Sequence, residues 1–314
     1  MNVTVLGCGV FGMSLTSVFL ENKNNKIVVW NKFDDDFKDL REKYLNVSFT
    51  TDLDSAVKGS DLIVIAIPIT YLESVVKDLK EVCRDIDILI ASKGIDTNSQ
   101  LFSYQIINKY FKDINLGVIS GGTFASDMIN KDVMGITLAT KSISIKDKVK
   151  KGLENRYLKV QYLDDIIGVS VCGALKNVMA IGFGMLDGAE FPPSSKFLFL
   201  TEAIYEIRHL IKALGGNVDT ILSYAGIDDI MMTCTSNDSR NYTLGSMIGS
   251  GESLEKINEY KEKTTIEGLG TSLAMYKLAS DNNINLPIVN TIYNILYNNA
   301  DIIELIKILE KRES

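Results

Sequence analysis

The chain has 314 residues, 46% of them hydrophobic and 23% charged, with a formal net charge of −7. That balance suits two ordinary globular domains with apolar cores of their own, so neither disulfide nor metal is needed to explain folding. An acidic chain whose short Lys/Arg runs supply no basic face does not suit a nucleic-acid binder.

Met1 leads straight into Val3-Thr4-Val5-Leu6, so no leader peptide is expected. The first half alternates short β-branched runs with amphipathic segments. Val3–Leu6, Lys26–Trp30, Asp61–Ile67, Asp87–Ala91, Leu116–Ser120 and Gly135–Ala139 read as strands, and Phe11–Glu21 and Tyr71–Cys83 as helices. Strands alternating with helices imply βαβ units and a mostly parallel sheet. The runs Asp34-Asp35-Asp36 and Lys148-Val149-Lys150-Lys151 read as solvated surface. Near Asp164 the pattern turns helical, through Ser195–Leu214, Asp219–Leu222, Leu254–Glu262, Thr271–Asp281, Pro287–Asn298 and Ala300–Lys311. The expected architecture is an α/β Rossmann-type dinucleotide-binding domain over residues 1–163, followed by an all-α substrate domain over 164–314.

The stretch Gly7-Cys8-Gly9-Val10-Phe11-Gly12 follows a strand and opens a helix at the start of a βαβ unit. In that context Gly-x-Gly-x-x-Gly is a dinucleotide fingerprint. Gly7 allows the tight turn, Gly9 lets the pyrophosphate approach the backbone, and Gly12 lets helix and strand pack closely. The helix N-terminus offers unpaired N–H groups to the anion. The second strand ends Trp30-Asn31-Lys32, without the carboxylate that would hold the ribose of NAD. Lys32 faces either a 2′-phosphate or solvent, so the cofactor is NAD or NADP.

The segment Ile166–Leu186 is long enough to span a membrane, but Lys176 and Asn177 at its middle would be costly in lipid, and it reads as a buried core helix. A lysine in such surroundings loses hydration, which lowers its pKa and fits it for proton exchange, unless its side chain reaches a surface. The only histidine, His209, falls with Glu202 and Glu206 on the face opposite the apolar stripe of its helix. It is therefore read as solvated, and a histidine-based dehydrogenase is not expected. One histidine and four scattered cysteines (Cys8, Cys83, Cys172, Cys234) do not make a metal site; reduced, mostly buried thiols suit the cytoplasm.

Several stretches then resemble one family, the bacterial NAD(P)-dependent glycerol-3-phosphate dehydrogenases. They are Gly168–Ile181 around Gly173-Ala174-Leu175-Lys176-Asn177, Asp229–Ser236 leading to Ser239-Arg240-Asn241, Ser92-Lys93-Gly94, Ser120–Ala125, and Ile266-Glu267-Gly268. The resemblance implies reversible reduction of dihydroxyacetone phosphate to sn-glycerol 3-phosphate, supplying glycerol phosphate for phospholipid synthesis. It makes Lys176 the general acid/base, with Lys93, Asp229 and Thr233 completing the polar catalytic site. Ser239, Arg240 and Asn241 would hold the substrate phosphate, with Gly121, Thr123 and Asn177 also lining the substrate. Val10, Phe11, Ala125, Thr265, Glu267, Arg240 and Lys93 would line the cofactor, beside Gly7, Gly9, Gly12, Asn31 and Lys32. The implied assembly is a cytoplasmic homodimer acting on a small triose phosphate, without nucleic acid or membrane insertion. The chain departs from the family pattern at Gly122, Asp228, Pro192–Ser195 and Glu202. The changes near Pro192–Glu202 keep one alternative in view, a non-catalytic dinucleotide sensor, and the two-domain layout with its helical second half keeps another, a related hydroxyacid dehydrogenase.

Overall fold

The computed structural model describes residues 1–310. The chain forms two units, one from Met1–Lys93 with Leu101–Ile166, the other from Gly94–Gln100 with the chain from Ile167 onward. The stretch Gly94–Gln100 lies between strands in sequence yet belongs to the helical unit, and no apolar periodicity marks it.

In the first unit the described residues form eight strands: β1 (Asn2–Leu6), β2 (Lys26–Trp30), β3 (Val47–Thr50), β4 (Leu62–Ile65), β5 (Asp87–Ile90), β6 (Leu116–Ser120), β7 (Met134–Ala139) and β8 (Leu158–Leu163). They form one sheet in the order β3-β2-β1-β4-β5-β6-β7-β8. All neighbours run parallel except β6 and β7, which pair antiparallel with Ile119 opposite Leu138. The two strands that the sequence pattern does not announce, β3 and β8, are the two edges. Ser48, Thr50, Lys159 and Gln161 break their apolar runs, because an edge strand is only half covered. The central β4 and β5, covered on both faces, are buried at every position.

The strand order reverses beside β1, with β2 on one side and β4 on the other. In an open α/β sheet this switch point is where ligands bind, beyond the carboxyl ends of the strands. The glycine turn that follows β1 therefore stands at the place the topology favours. The helix Val10–Leu20 then returns over the sheet, burying Leu15, Val18 and Phe19 in a core with Val3, Val5 and Val64. Lys148 corrects the surface reading of its basic run: its ammonium meets the Asp87 carboxylate at 2.7 Å and the Asp61 carbonyl at 2.7 Å.

The second unit is built around the helix Ile166–Gly188, buried at every residue from Gly168 to Leu186. It is long and apolar enough to cross a bilayer, but its apolar surface is covered here, in agreement with a buried core helix. A glycine seam sets its closest neighbour, the helix Arg240–Gly249. A Cβ on Gly184 would lie 2.3 Å from the Tyr242 carbonyl oxygen, and one on Gly245 would lie 2.1 Å from that of Ile181.

The helix Pro193–Ala213 corrects one sequence expectation. His209 is exposed, as expected, but Glu206 is only 6% exposed. Its carboxylate accepts from the backbone N–H groups of Ile288 (2.7 Å) and Val289 (2.8 Å), at the start of the helix Pro287–Asn298. A helix N-terminus carries orphan donors and positive partial charge, and this one draws its acceptor inward from a neighbouring helix. The last described helix spans Ile303–Glu310; Lys311, the end of the expected segment, lies outside the described residues.

Candidate active site

In the first unit, β1 ends at Leu6 and the chain turns sharply at Gly7, whose φ is 109°. A Cβ there would lie 2.5 Å from the Ala66 carbonyl oxygen, and one on Gly12 would lie 2.2 Å from that of Gly7. Both glycines are thus required by the turn itself. Gly9 differs: a Cβ on it would meet nothing within 4 Å. Its missing side chain leaves open space in front of the helix N-terminus, where no side chain caps the backbone. Open space and uncapped N–H groups together fit a bound pyrophosphate.

Other expected residues gather round this turn. Phe11 is half-buried, and the Lys93 ammonium lies 5.6 Å from the centre of its ring. Lys93 is carried there by Ser92, whose hydroxyl donates to the Ile67 carbonyl at 2.6 Å at the end of β5. Ala125 begins a short helix beside Val10: the Ser14 hydroxyl donates to the Val10 carbonyl at 2.8 Å and to that of Ala125 at 3.4 Å. Between β6 and that helix, Gly121 and Thr123 are buried, and the Thr123 hydroxyl has no hydrogen-bond partner among the described residues. A buried hydroxyl without a partner is costly, so one left over beside a glycine turn fits a ligand that completes it. At the tip of β2, Lys32 is exposed and the Asn31 amide donates to the Asp36 carboxylate.

In the second unit, Lys176 is 8% exposed and does not escape to a surface. Its ammonium pairs with the Asp229 carboxylate and donates to the Thr233 hydroxyl at 3.1 Å. Asp229 is fully buried, and the Thr233 hydroxyl donates to its carbonyl at 2.6 Å. Burial disfavours the lysine charge while the carboxylate favours it, so the two effects oppose each other in a dry setting. Asp229 and Thr233 stand one turn apart on the helix Asp229–Thr235, and the acid at its first position suits the helix dipole. Gly226 sets up that helix: a Cβ on it would lie 2.1 Å from the Ile221 carbonyl oxygen. The neighbouring Asp228, the added charge of the sequence, is exposed. Burial pushes the Cys234 thiol well up, so this cysteine beside the cluster is no nucleophile.

A second polar chain runs alongside. The Asn177 amide donates to the Glu267 carboxylate at 2.9 Å, and its carbonyl oxygen accepts from Asn241 at 3.0 Å. The Asn241 carbonyl oxygen accepts in turn from the Gly268 N–H at 2.9 Å. Ser239 caps the helix Arg240–Gly249, its hydroxyl accepting from the Tyr242 N–H at 3.3 Å. The cap is thus a structural role for a residue expected at the substrate phosphate. Arg240, at the first position of that helix, is exposed, as is Thr265 in the preceding loop of Glu267. Asp36, whose carboxylate turns back to the end of β2, lies in an exposed acidic run whose residue pattern does not mark it out.

The comparisons agree with this geometry. Residues 2–146 match the model of the NAD-dependent glycerol-3-phosphate dehydrogenase N-terminus, and residues 165–307 match that of its C-terminus. A glycerol-3-phosphate dehydrogenase [NAD(P)+] of Ligilactobacillus salivarius is 33% identical, covering 99% of this chain and 97% of its own. One of Staphylococcus saprophyticus is 31% identical, over 99% and 98%. The crystal structure of a glycerol-3-phosphate dehydrogenase from Coxiella burnetii shares the fold with a TM-score of 0.91 at 24% identity, over 99% of each chain. On full-length identity with such relatives and on matches to both halves, this chain belongs to the NAD-dependent glycerol-3-phosphate dehydrogenase family.

Proposed function

We propose that this protein interconverts dihydroxyacetone phosphate and sn-glycerol 3-phosphate with NAD(H) or NADP(H), supplying glycerol phosphate for phospholipid synthesis. The observation that carries the proposal is the buried Lys176–Asp229–Thr233 cluster in a chain whose only histidine is exposed.

The dinucleotide, when bound, supplies or accepts the hydride at its nicotinamide ring. Gly7, Gly9 and Gly12 hold its pyrophosphate against the helix N-terminus, with Val10, Phe11, Ala125, Thr265 and Glu267 as further contacts. During reduction the Lys176 Nζ gives its proton to the carbonyl oxygen that becomes the alcohol; in the reverse direction it takes that proton back. Asp229 keeps the ammonium charged until the transfer, and Thr233 orients it. Lys93 helps to polarise the same carbonyl. The exposed Arg240 guanidinium, at the N-terminus of a ten-residue helix, suits a phosphate, which it meets with a planar fork of donors. Asn241, Ser239, Asn177, Gly121 and Thr123 complete the substrate contacts. The family resemblance supports a cytoplasmic homodimer without membrane insertion, and light scattering on the purified chain tests the dimer.

Replacing Lys176 by alanine tests the proposal. Turnover of dihydroxyacetone phosphate should fall on the order of 10²–10⁴-fold, while NADH still quenches protein fluorescence at wild-type concentrations. Unchanged turnover would remove the acid/base role from Lys176.

A further inference from the structure

The tip of β2 decides between NAD and NADP in this fold, because it faces the 2′ position of the adenosine ribose. After Trp30 the chain enters a 3-10 turn, Asp34–Phe37, with three consecutive carboxylates. The turn is anchored from both ends. Phe37 is fully buried and packs on Phe49 with ring centres 5.2 Å apart. Arg41 lies 5.3 Å over the Phe37 ring and grips Asp34 with two hydrogen bonds, at 2.6 and 3.1 Å. Asp34 and Asp36 therefore differ. Asp34 is neutralised by a guanidinium. Asp36 instead accepts, among the described residues, the neutral Asn31 amide at the strand tip. The charge is felt in the phosphate turn: the Cys8 thiol is pushed up first by burial and next by the Asp36 carboxylate. Lys32 is exposed, and no hydrogen bond or ion pair among the described residues holds it.

Resting on the dinucleotide reading above, we propose that Asp36, presented by the anchored turn and oriented by Asn31, is the residue that selects NAD over NADP. The ribose of NAD offers hydroxyl donors, which a carboxylate accepts. A 2′-phosphate offers acceptors only and close to two negative charges, and it would meet Asp36 as a like charge. The carboxylate that the strand itself lacks is thus supplied from five residues further on. Lys32 carries the opposite charge, but without a partner to fix it a solvated lysine offsets little of that repulsion.

The test titrates NADH and NADPH against the full chain by nicotinamide fluorescence, in wild type and in Asp36→Asn, Asp36→Ser and Lys32→Ala. Circular dichroism verifies that each is folded. Wild type should bind NADH about 100-fold more tightly than NADPH, the scale of a partly screened like-charge contact. Both Asp36 variants should shrink that ratio below about tenfold, chiefly by binding NADPH better, and Lys32→Ala should change it less than either of them. Equal wild-type affinities, or an unchanged ratio in both Asp36 variants, would overturn the proposal and leave the dehydrogenase reading standing. A larger change in Lys32→Ala than in the Asp36 variants would also overturn it. Failure of wild type to bind either dinucleotide would bring down both.

Discussion

The two units build their functional groups in opposite ways. In the first, the proposed anion cradle comes from one short stretch, Gly7–Gly12, and offers backbone N–H groups. In the second, the proposed proton-transfer cluster joins side chains 53 and 57 positions apart, Lys176 to Asp229 and to Thr233. A backbone site is defined by what the residues lack, since side chains would fill it. A side-chain site is defined by packing that delivers distant groups to one place. The first is therefore broken by adding atoms and the second by removing them.

That contrast can be broken or sharpened experimentally. The largest expected effect is from Asp229→Ala. It strands the Lys176 charge in a dry interior, which costs about 3–5 kcal/mol when one partner of a buried pair is removed. The thermal midpoint should fall sharply, together with turnover. A variant as stable as wild type would mean that the pair is not buried as described. Next comes Gly7→Ala, where a φ of 109° and a close carbonyl meet the new methyl group. A strained backbone position of this kind costs about 1–3 kcal/mol. NADH affinity should drop by roughly tenfold or more, while the Lys176 cluster, built elsewhere, keeps its hydrogen bonds. Calorimetric titration showing wild-type affinity would break the contrast at its first term.

The smallest effect is at Tyr242, whose hydroxyl donates to Asp187, which also pairs with Lys196. Burial and then the Asp187 carboxylate push its pKa up to about 12. An unfolded tyrosine titrates near 10, so the folded chain holds this proton more tightly. Its contribution to stability is whole below about pH 10 and is lost as the pH rises toward 12. Melting curves across that window should therefore decline less steeply for Tyr242→Phe than for wild type. Identical slopes would show that the hydrogen bond has no weight in folding.

Much of the fold was legible because apolar runs track full burial. The central strands and the helix Ile166–Gly188 carry continuous hydrophobic stretches and are covered on both faces, whereas the glycine turn is legible from its residue spacing. The edges β3 and β8 were not legible, since half-covered strands mix polar residues with apolar ones. The two short helices Asp229–Thr235 and Arg240–Gly249 were legible as motifs rather than as helices. Their threonines, serines and glycines serve the site and the glycine seam, at the expense of helix propensity. Glu206 illustrates the limit most clearly. On its own helix it sits beside solvated residues, and only a second helix end, some eighty positions on, explains its burial.

By itself, the sequence determined a dinucleotide turn, a helical second half and a lone lysine in the middle of an apolar helix. Those features rest on local backbone requirements and on hydrophobic periodicity, which short segments carry on their own. Tertiary structure decided which charges meet. It gave Lys176 the Asp229 carboxylate, took Asp34 out of play with Arg41 and turned Asp36 toward Asn31 at the strand tip. Charge pairing depends on distance in space, which folding sets and residue spacing along the chain does not encode.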